Sequence, residues 1–264
     1  MEQFRGTFES YGVRFAISSN DESTFRTAVD VARTALLGQL KELKVKKVPH
    51  ELTLEKIKRG IHFSVDDADH GVSPLSKIWH FYDTCVRILV AEFAKDRVFI
   101  HCGVVVWKGK SILFPGDSYT GKTTLVAEFV RRGAVYYSDE YAILDDKGLV
   151  HPFARPLAIR DKKDFSLRYD TPAAELGGTS GTFPVPVDLV FLLKYRKFSR
   201  SRVERLSAGK AVLEIMPFAI TLKSNPKFTL FVLNKLSNRV TFFSGQRGNS
   251  KNAVDNLIEI VDKL

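Results

Sequence analysis

Residues 116 to 123 read Gly116-Asp117-Ser118-Tyr119-Thr120-Gly121-Lys122-Thr123 and fit the pattern GxxxxGK[ST]. Glycines at these positions let the backbone fold back tightly, so that successive N–H groups converge on phosphate oxygens at the positive end of a helix. At this spacing Lys122 reaches the β and γ phosphates, and the Thr123 hydroxyl is placed for Mg²⁺. The segment follows an apolar run (SILFP) and opens a helical one, which is the context such a loop requires. The expected ligands are therefore ATP and Mg²⁺, held by the eight loop residues together with Thr124.

A metal carried on phosphates wants a carboxylate, and phosphoryl transfer to a hydroxyl wants a group that takes the proton. Asp139-Glu140 is the expected source of both. A helix from about Gly121 to Arg132 advances roughly 18 Å at ~1.5 Å per residue. A strand of about five residues then returns some 16 Å at ~3.3 Å each. Asp139 thus comes back to the height of the loop, as candidate base and metal ligand, with Glu140 beside it. His101 in the strand before the loop is a third candidate, and Arg155 and Arg160 could hold phosphate or substrate charge.

The elements that must position these residues follow from periodicity. Thr7 to Ile17 alternates as one or two strands, and Ser23 or Thr24 caps a helix running to Leu36. The Lys-rich stretch after it reads as a surface loop. Leu54 to Val65 reads as strand, DDADHGVSP from Asp66 as turns, and Ile78 to Phe93 as a helix. VFIHCGVVVW from Val98 and SILFP form a hairpin about Lys108-Gly109-Lys110. Leu125 to Val130 lies on a helix that Gly133 ends. Short strands follow at Ala134 to Tyr137 and Tyr141 to Leu144, with loops at HPFARP and FPVP. Val187 to Leu193 is a buried strand, and Ser207 caps a helix from Ala208 to Met216. Phe228 to Phe243 reads as core, ending in a strand from Val240, and a helix closes the chain. Glu175-Leu176-Gly177-Gly178 could form a substrate loop. Strands alternating with helices indicate an α/β architecture, with a boundary near Asp96 separating residues 1–96 from 97–264.

From Val98 onward the chain resembles the HPr serine kinase/phosphorylase family and its stand-alone relatives. The likeness rests on FIHCGVVV, GDSYTGKT and YYSDEYAIL, covers roughly Val98 to Arg160, and extends weakly to VDLVFLLKYR. It implies a P-loop kinase core, similar to the nucleotide site of ATP-dependent phosphoenolpyruvate carboxykinase, joined to a smaller N-terminal α/β subdomain. It also implies that Asp139 is the catalytic acid/base, that His101 and Glu140 arrange it and the metal, and that Lys122 and Thr123 are the P-loop Lys and hydroxyl. Three departures stand out. Thr124 replaces a usual Glu, Glu140 replaces an Asp, and the Ile-Arg-Gly-Leu-Gly signature is reduced to LAIRDKKDF around Arg160, so HPr itself is not the expected substrate.

The resulting expectation is an ATP/Mg²⁺-dependent kinase acting on a hydroxyl, with a serine of a protein or peptide as the leading acceptor. A small-molecule kinase or carboxykinase-like enzyme, and a nucleotide-sensing module without turnover, are the alternatives. Forty basic against thirty acidic residues leave a formal charge of +10. Two clusters, KELKVKK from Lys41 and KYRKFSRSRVER from Lys194, carry part of it. No helix-turn-helix, finger or RNA-binding signature accompanies the charge, so nucleic acid is not an expected partner. No leader or membrane-spanning run is expected. Two cysteines, Cys85 and Cys102, argue against a disulfide scaffold and point to a reducing cytoplasm. A homo-oligomer is compatible with everything above.

Overall fold

The computed structural model describes residues 3–117, 120–161, 164, 167–199 and 201–264. The chain is mixed α/β and divides into two compact units, Met1–Asp96 and Arg97–Leu264. Among the described residues no helix is long and apolar enough to cross a membrane.

The first unit is a six-stranded sheet with two helices. Strands β1 (Phe4–Ser10) and β2 (Val13–Ser19) form a hairpin about Tyr11-Gly12, and both turn residues take positive φ. Helix α1 (Glu22–Ala35) is capped by Asp21, whose carboxylate accepts the Thr24 N–H at 2.9 Å; Ser23 and Thr24 already lie inside the helix. The cap therefore falls earlier than expected, because Asp21 offers a charged acceptor at the right spacing. The Lys-rich stretch is also not wholly loop, since Lys41–Leu43 forms β3 on the sheet edge. Leu54 to Val65 resolves into two strands, β4 (His50–Ile57) and β5 (Gly60–Val65). The turn-rich reading of DDADHGVSP holds only for Asp66-Asp67, for Ala68–Ser73 is edge strand β6. Its polar composition hid it, as suits a strand with an open edge. Helix α2 (Leu75–Phe93) buries Ile78, Tyr82, Val86 and Val90. The sheet order is β3-β1-β2-β4-β5-β6.

The second unit starts with the long hairpin β7 (Val98–Trp107) and β8 (Lys110–Pro115). Helix α3 (Lys122–Arg131) leads to β9 (Val135–Ser138) and β10 (Tyr141–Leu144), both antiparallel to β7. Edge strands β11 (Leu149–His151) and β14 (Val185–Pro186) extend that side of the sheet. Between them β12 (Leu157–Arg160) and β13 (Arg168–Thr171) make a separate two-stranded ribbon. On the other side β15 (Leu189–Tyr195) runs parallel to β8 and to β17 (Thr241–Arg247), and β16 (Arg202–Arg205) closes the edge against β17. Helices α4 (Ala208–Ile215), α5 (Pro226–Ser237) and α6 (Ser250–Asp262) complete the unit.

Nine strands thus lie between two helical layers. Leu125 and Phe129 of α3 and Ala253 and Leu257 of α6 pack with Val105, Ile112 and Phe191 on one face. Ile215 of α4 and Leu233 and Leu236 of α5 pack with Ile100, Val104 and Val190 on the other. Alternation along each strand supplies both faces. Helix α5 stands where the aromatic-rich stretch read as core alone; Phe231 on it is exposed.

Candidate functional site

The glycine-bearing segment 116–121 lies between β8, in the middle of the sheet, and α3. Gly121 sits at the helix N-cap with φ 80°, a left-handed conformation natural to glycine, and among the described residues no side chain caps the helix. The first N–H groups of a helix have no intrahelical partners, so this end presents donors and positive potential. Ser118 and Tyr119 lie outside the described residues.

Lys122, the first residue of α3, is only 9% exposed. Its ammonium donates to the carbonyl oxygens of Gly116 (2.7 Å) and Asp117 (2.6 Å). Burial lowers its pKa to about 8, with the charges of Asp117 and Asp139 pulling the other way. Among the described residues it has no carboxylate within ion-pair distance. A buried cation held only by carbonyls is poorly compensated, and an anion arriving at the loop would supply what is missing.

Asp139 lies where the helix-and-strand estimate puts it. Ser138 faces Val104 and Tyr141 faces His101 across β7, so the end of β9 shares the register of β10 and Asp139-Glu140 fall opposite Gly103 and Cys102; a one-residue shift between Val104 and Val105 offsets the rest of β9. The Cys102 N–H donates to the Glu140 carbonyl at 2.9 Å, and the Ser138 hydroxyl accepts the N–H groups of Glu140 and Tyr141. The Asp139 carboxylate is 9% exposed and accepts from the Tyr136 hydroxyl at 2.9 Å and the Ala158 N–H at 3.4 Å. The Thr123 hydroxyl is a further hydrogen-bonding partner. Burial raises the Asp139 pKa, and these hydrogen bonds work against that rise. The loop hydroxyl and the acidic residue after α3 therefore meet, although sixteen positions separate them.

The remaining candidates divide. His101 lies on β7 with its carbonyl accepting the Gly116 N–H at 3.2 Å, which ties the strand to the loop. Burial, helped by the Lys122 charge, lowers its imidazole to about 4, so it is neutral at pH 7. Glu140 points toward Arg155, whose Nε is 3.8 Å from its carboxylate. Arg160 ends β12 in an exposed position opposite Arg168. Arg168, across the ribbon, is the arginine whose charge acts on Asp139. Thr124 follows Thr123 on the exposed side of the helix's first turn. Gly177-Gly178 is a packing turn, since a Cβ at Gly178 would overlap Val130. Among the described residues no group of three or more His, Cys, Asp or Glu gathers as for a metal ion. A metal brought in on phosphates needs only one or two protein ligands.

One residue was missed altogether. Arg247, at the end of β17, is 4% exposed. Its guanidinium donates to the carbonyls of Thr120 (2.8 Å), Gly121 (2.9 Å) and Gly248 (3.2 Å). The Tyr195 ring lies 5.3 Å away, and burial lowers the arginine's pKa. A second desolvated cation thus braces the 116–121 loop, again with carbonyl hydrogen-bond partners only among the described residues. Nothing near Arg247 in sequence marks it. Tyr136, which orients Asp139, was equally silent, reading only as one more apolar residue of a strand.

Comparison with protein families and with curated proteins gave no match. The site's chemistry therefore rests on its own geometry.

Proposed function

We propose that the second unit binds a nucleoside triphosphate at the 116–124 loop and transfers its γ-phosphoryl group to a hydroxyl, with a serine of a protein or peptide as the acceptor class. The fold would then be a P-loop kinase core of the HPr kinase/carboxykinase type, in keeping with the resemblance of residues 98–160. The observation that carries this reading is the convergence of three groups on one loop. Lys122 is a buried cation without a carboxylate, α3 has an uncapped N-terminus, and Asp139 reaches the Thr123 hydroxyl. Each alone is a packing feature; together they form a cation, a donor array and a base around one point.

ATP supplies the phosphoryl group, and its Mg²⁺ neutralises charge on the phosphates. The chain's own part is positioning. Lys122 and the α3 amides hold phosphate oxygens, and Thr123 with Asp139 offers oxygen ligands at the metal's side. Asp139, with its pKa raised by burial, is suited to accept the acceptor hydroxyl's proton. Neutral His101 contributes bulk and a ring nitrogen without adding charge. Phosphoryl transfer needs little covalent help from protein, so this inventory is sufficient.

One feature favours a nucleotide sensor without turnover as the second reading: Asp139 is held behind Tyr136 with little surface open. The test is incubation of the full chain with γ-labelled ATP, Mg²⁺ and serine-containing peptide pools, in parallel with thermal unfolding. Thermal stabilisation with label transfer supports the kinase, and stabilisation without transfer supports the sensor. Neither effect at millimolar nucleotide overturns both.

A further inference from the structure

The nucleotide reading leaves the basic run KYRKFSRSRVER unused. From Lys194 to Arg205 it holds six basic residues and one acidic. Its path is unusual. Strand β15 ends at Tyr195, the chain passes across the carboxyl end of β17, and β16 returns on the far side of that strand. The crossing is pinned to the strand beneath it. The Arg196 N–H donates to the Arg247 carbonyl at 2.9 Å, and a Cβ on Gly248 would overlap the Ser199 carbonyl.

Beside this crossing lies a cleft of about 700 Å³, lined by Lys194, Tyr195, Arg196, Arg202, Glu204 and Gln246 among others. That is the size of a site that encloses a ligand of several side chains. None of Lys194, Arg196, Arg202 or Glu204 makes an ion pair among the described residues, so the lining carries two uncompensated positive charges. Between Arg196 and Arg202 the chain carries Phe198, 93% exposed and at φ 62°. The Lys197 ammonium stands 5.0 Å over its ring, but a bulky aromatic that is both exposed and in the left-handed region is still unfavourable for the free protein. Exposed aromatics beside arginines are the composition of binding hot spots.

We propose that this cleft docks an acidic segment of the polypeptide acceptor, its carboxylates on Lys194, Arg196 and Arg202 and an apolar side chain over Phe198. The unpaired cations set the sign of the ligand, and the aromatic requires an apolar neighbour that a small anion lacks. The cations line a concavity, which suits a chain segment better than a lipid surface. Arg247 links the two features: it holds the crossing through its carbonyl and the 116–124 loop through its guanidinium. The role as acceptor site rests on the kinase reading; the binding of acidic peptide does not.

The test uses the full chain and a fluorescein-labelled pool of short peptides rich in Asp and Glu with Ser, Leu and Phe, read by anisotropy. A Lys-substituted pool is the control. Saturable binding of the acidic pool is expected. The double variant Lys194→Glu, Arg202→Glu should weaken it by about tenfold or more and reduce its salt dependence. Phe198→Ser should weaken it several-fold with the salt dependence unchanged. Both variants should keep the wild-type thermal response to Mg-ATP, which also reports that they are folded. Equal affinity of the double variant, or no saturable binding by wild type, overturns the proposal. So does binding to phosphatidylserine vesicles in place of peptide, which would make the face a membrane contact. Peptide binding without any ATP response would sink the kinase reading and leave the cleft standing.

Discussion

The guanidinium of Arg247 lies 2.8 Å from the carbonyl oxygen of Thr120, a contact between residues 127 positions apart. The loop before α3 is therefore braced from outside by the last strand of the sheet. Together with Lys122 it places two desolvated cations on one loop, and the first expectations concern what happens when that charge is changed or met.

Lys122→Ala should abolish stabilisation by Mg-ATP. A ligand at ~100 times its dissociation constant adds roughly 2.7 kcal/mol. For a unit of this size that is an upward shift of roughly 5 to 10 °C in Tm. Differential scanning of wild type and variant, with and without nucleotide, reads it directly; an undiminished shift in the variant would remove Lys122 from the site.

Asp139→Asn should keep most nucleotide binding and lose transfer. An amide cannot accept the hydroxyl proton, and a general base contributes ~10² to 10⁴ in rate. Transfer within a few-fold of wild type would leave Asp139 as a metal ligand at most.

Gly121→Ala meets two obstacles. The backbone there is left-handed, and the new Cβ would stand 2.7 Å from the Arg247 guanidinium. The variant should lose about 1 to 3 kcal/mol of stability together with nucleotide affinity. Chemical denaturation measures the first and the Mg-ATP thermal shift the second. A variant as stable as wild type would mean that Arg247 does not brace the loop.

His101 gives a pH signature. Its pKa in the folded chain is about 4, below the ordinary 6.5, so the unfolded chain binds the proton more readily. Stability is then lost as pH falls from 6.5 toward 4. His101→Gln should make the decline in Tm over that window shallower. Asp139, raised by burial, works in the opposite sense and is present in both proteins, so the comparison isolates the imidazole. An identical slope in the two proteins would show that His101 is not desolvated.

Local signals made much of the molecule legible. The loop spacing, the 3.6-residue periodicity of α2 and the apolar β7–β8 hairpin can all be read from neighbouring residues. The position of Asp139 was legible because the advance of α3 and the return of β9 nearly cancel. Strand β6 was hidden by polar residues on an open edge, and α5 by an aromatic content that gave no face. Arg247 was beyond reach for a different reason. Its role comes from a strand pairing that places it near the loop, and no local pattern encodes a neighbour 127 residues away.

The crossing of the chain over β17 has a consequence for biosynthesis. Strand β17 lies between β15 and β16, yet it is made after both, so the slot it fills must stay open until residues 241–247 emerge. Up to that moment β16 has no strand to pair with, and the loop at 116–123 lacks the arginine that braces it. Domains fold largely as units during synthesis. A nascent chain can therefore carry the whole 116–123 motif for more than a hundred residues of elongation before Arg247 is there to brace Thr120 and Gly121. Insertion of the last strand assembles the brace and the basic cleft in one event.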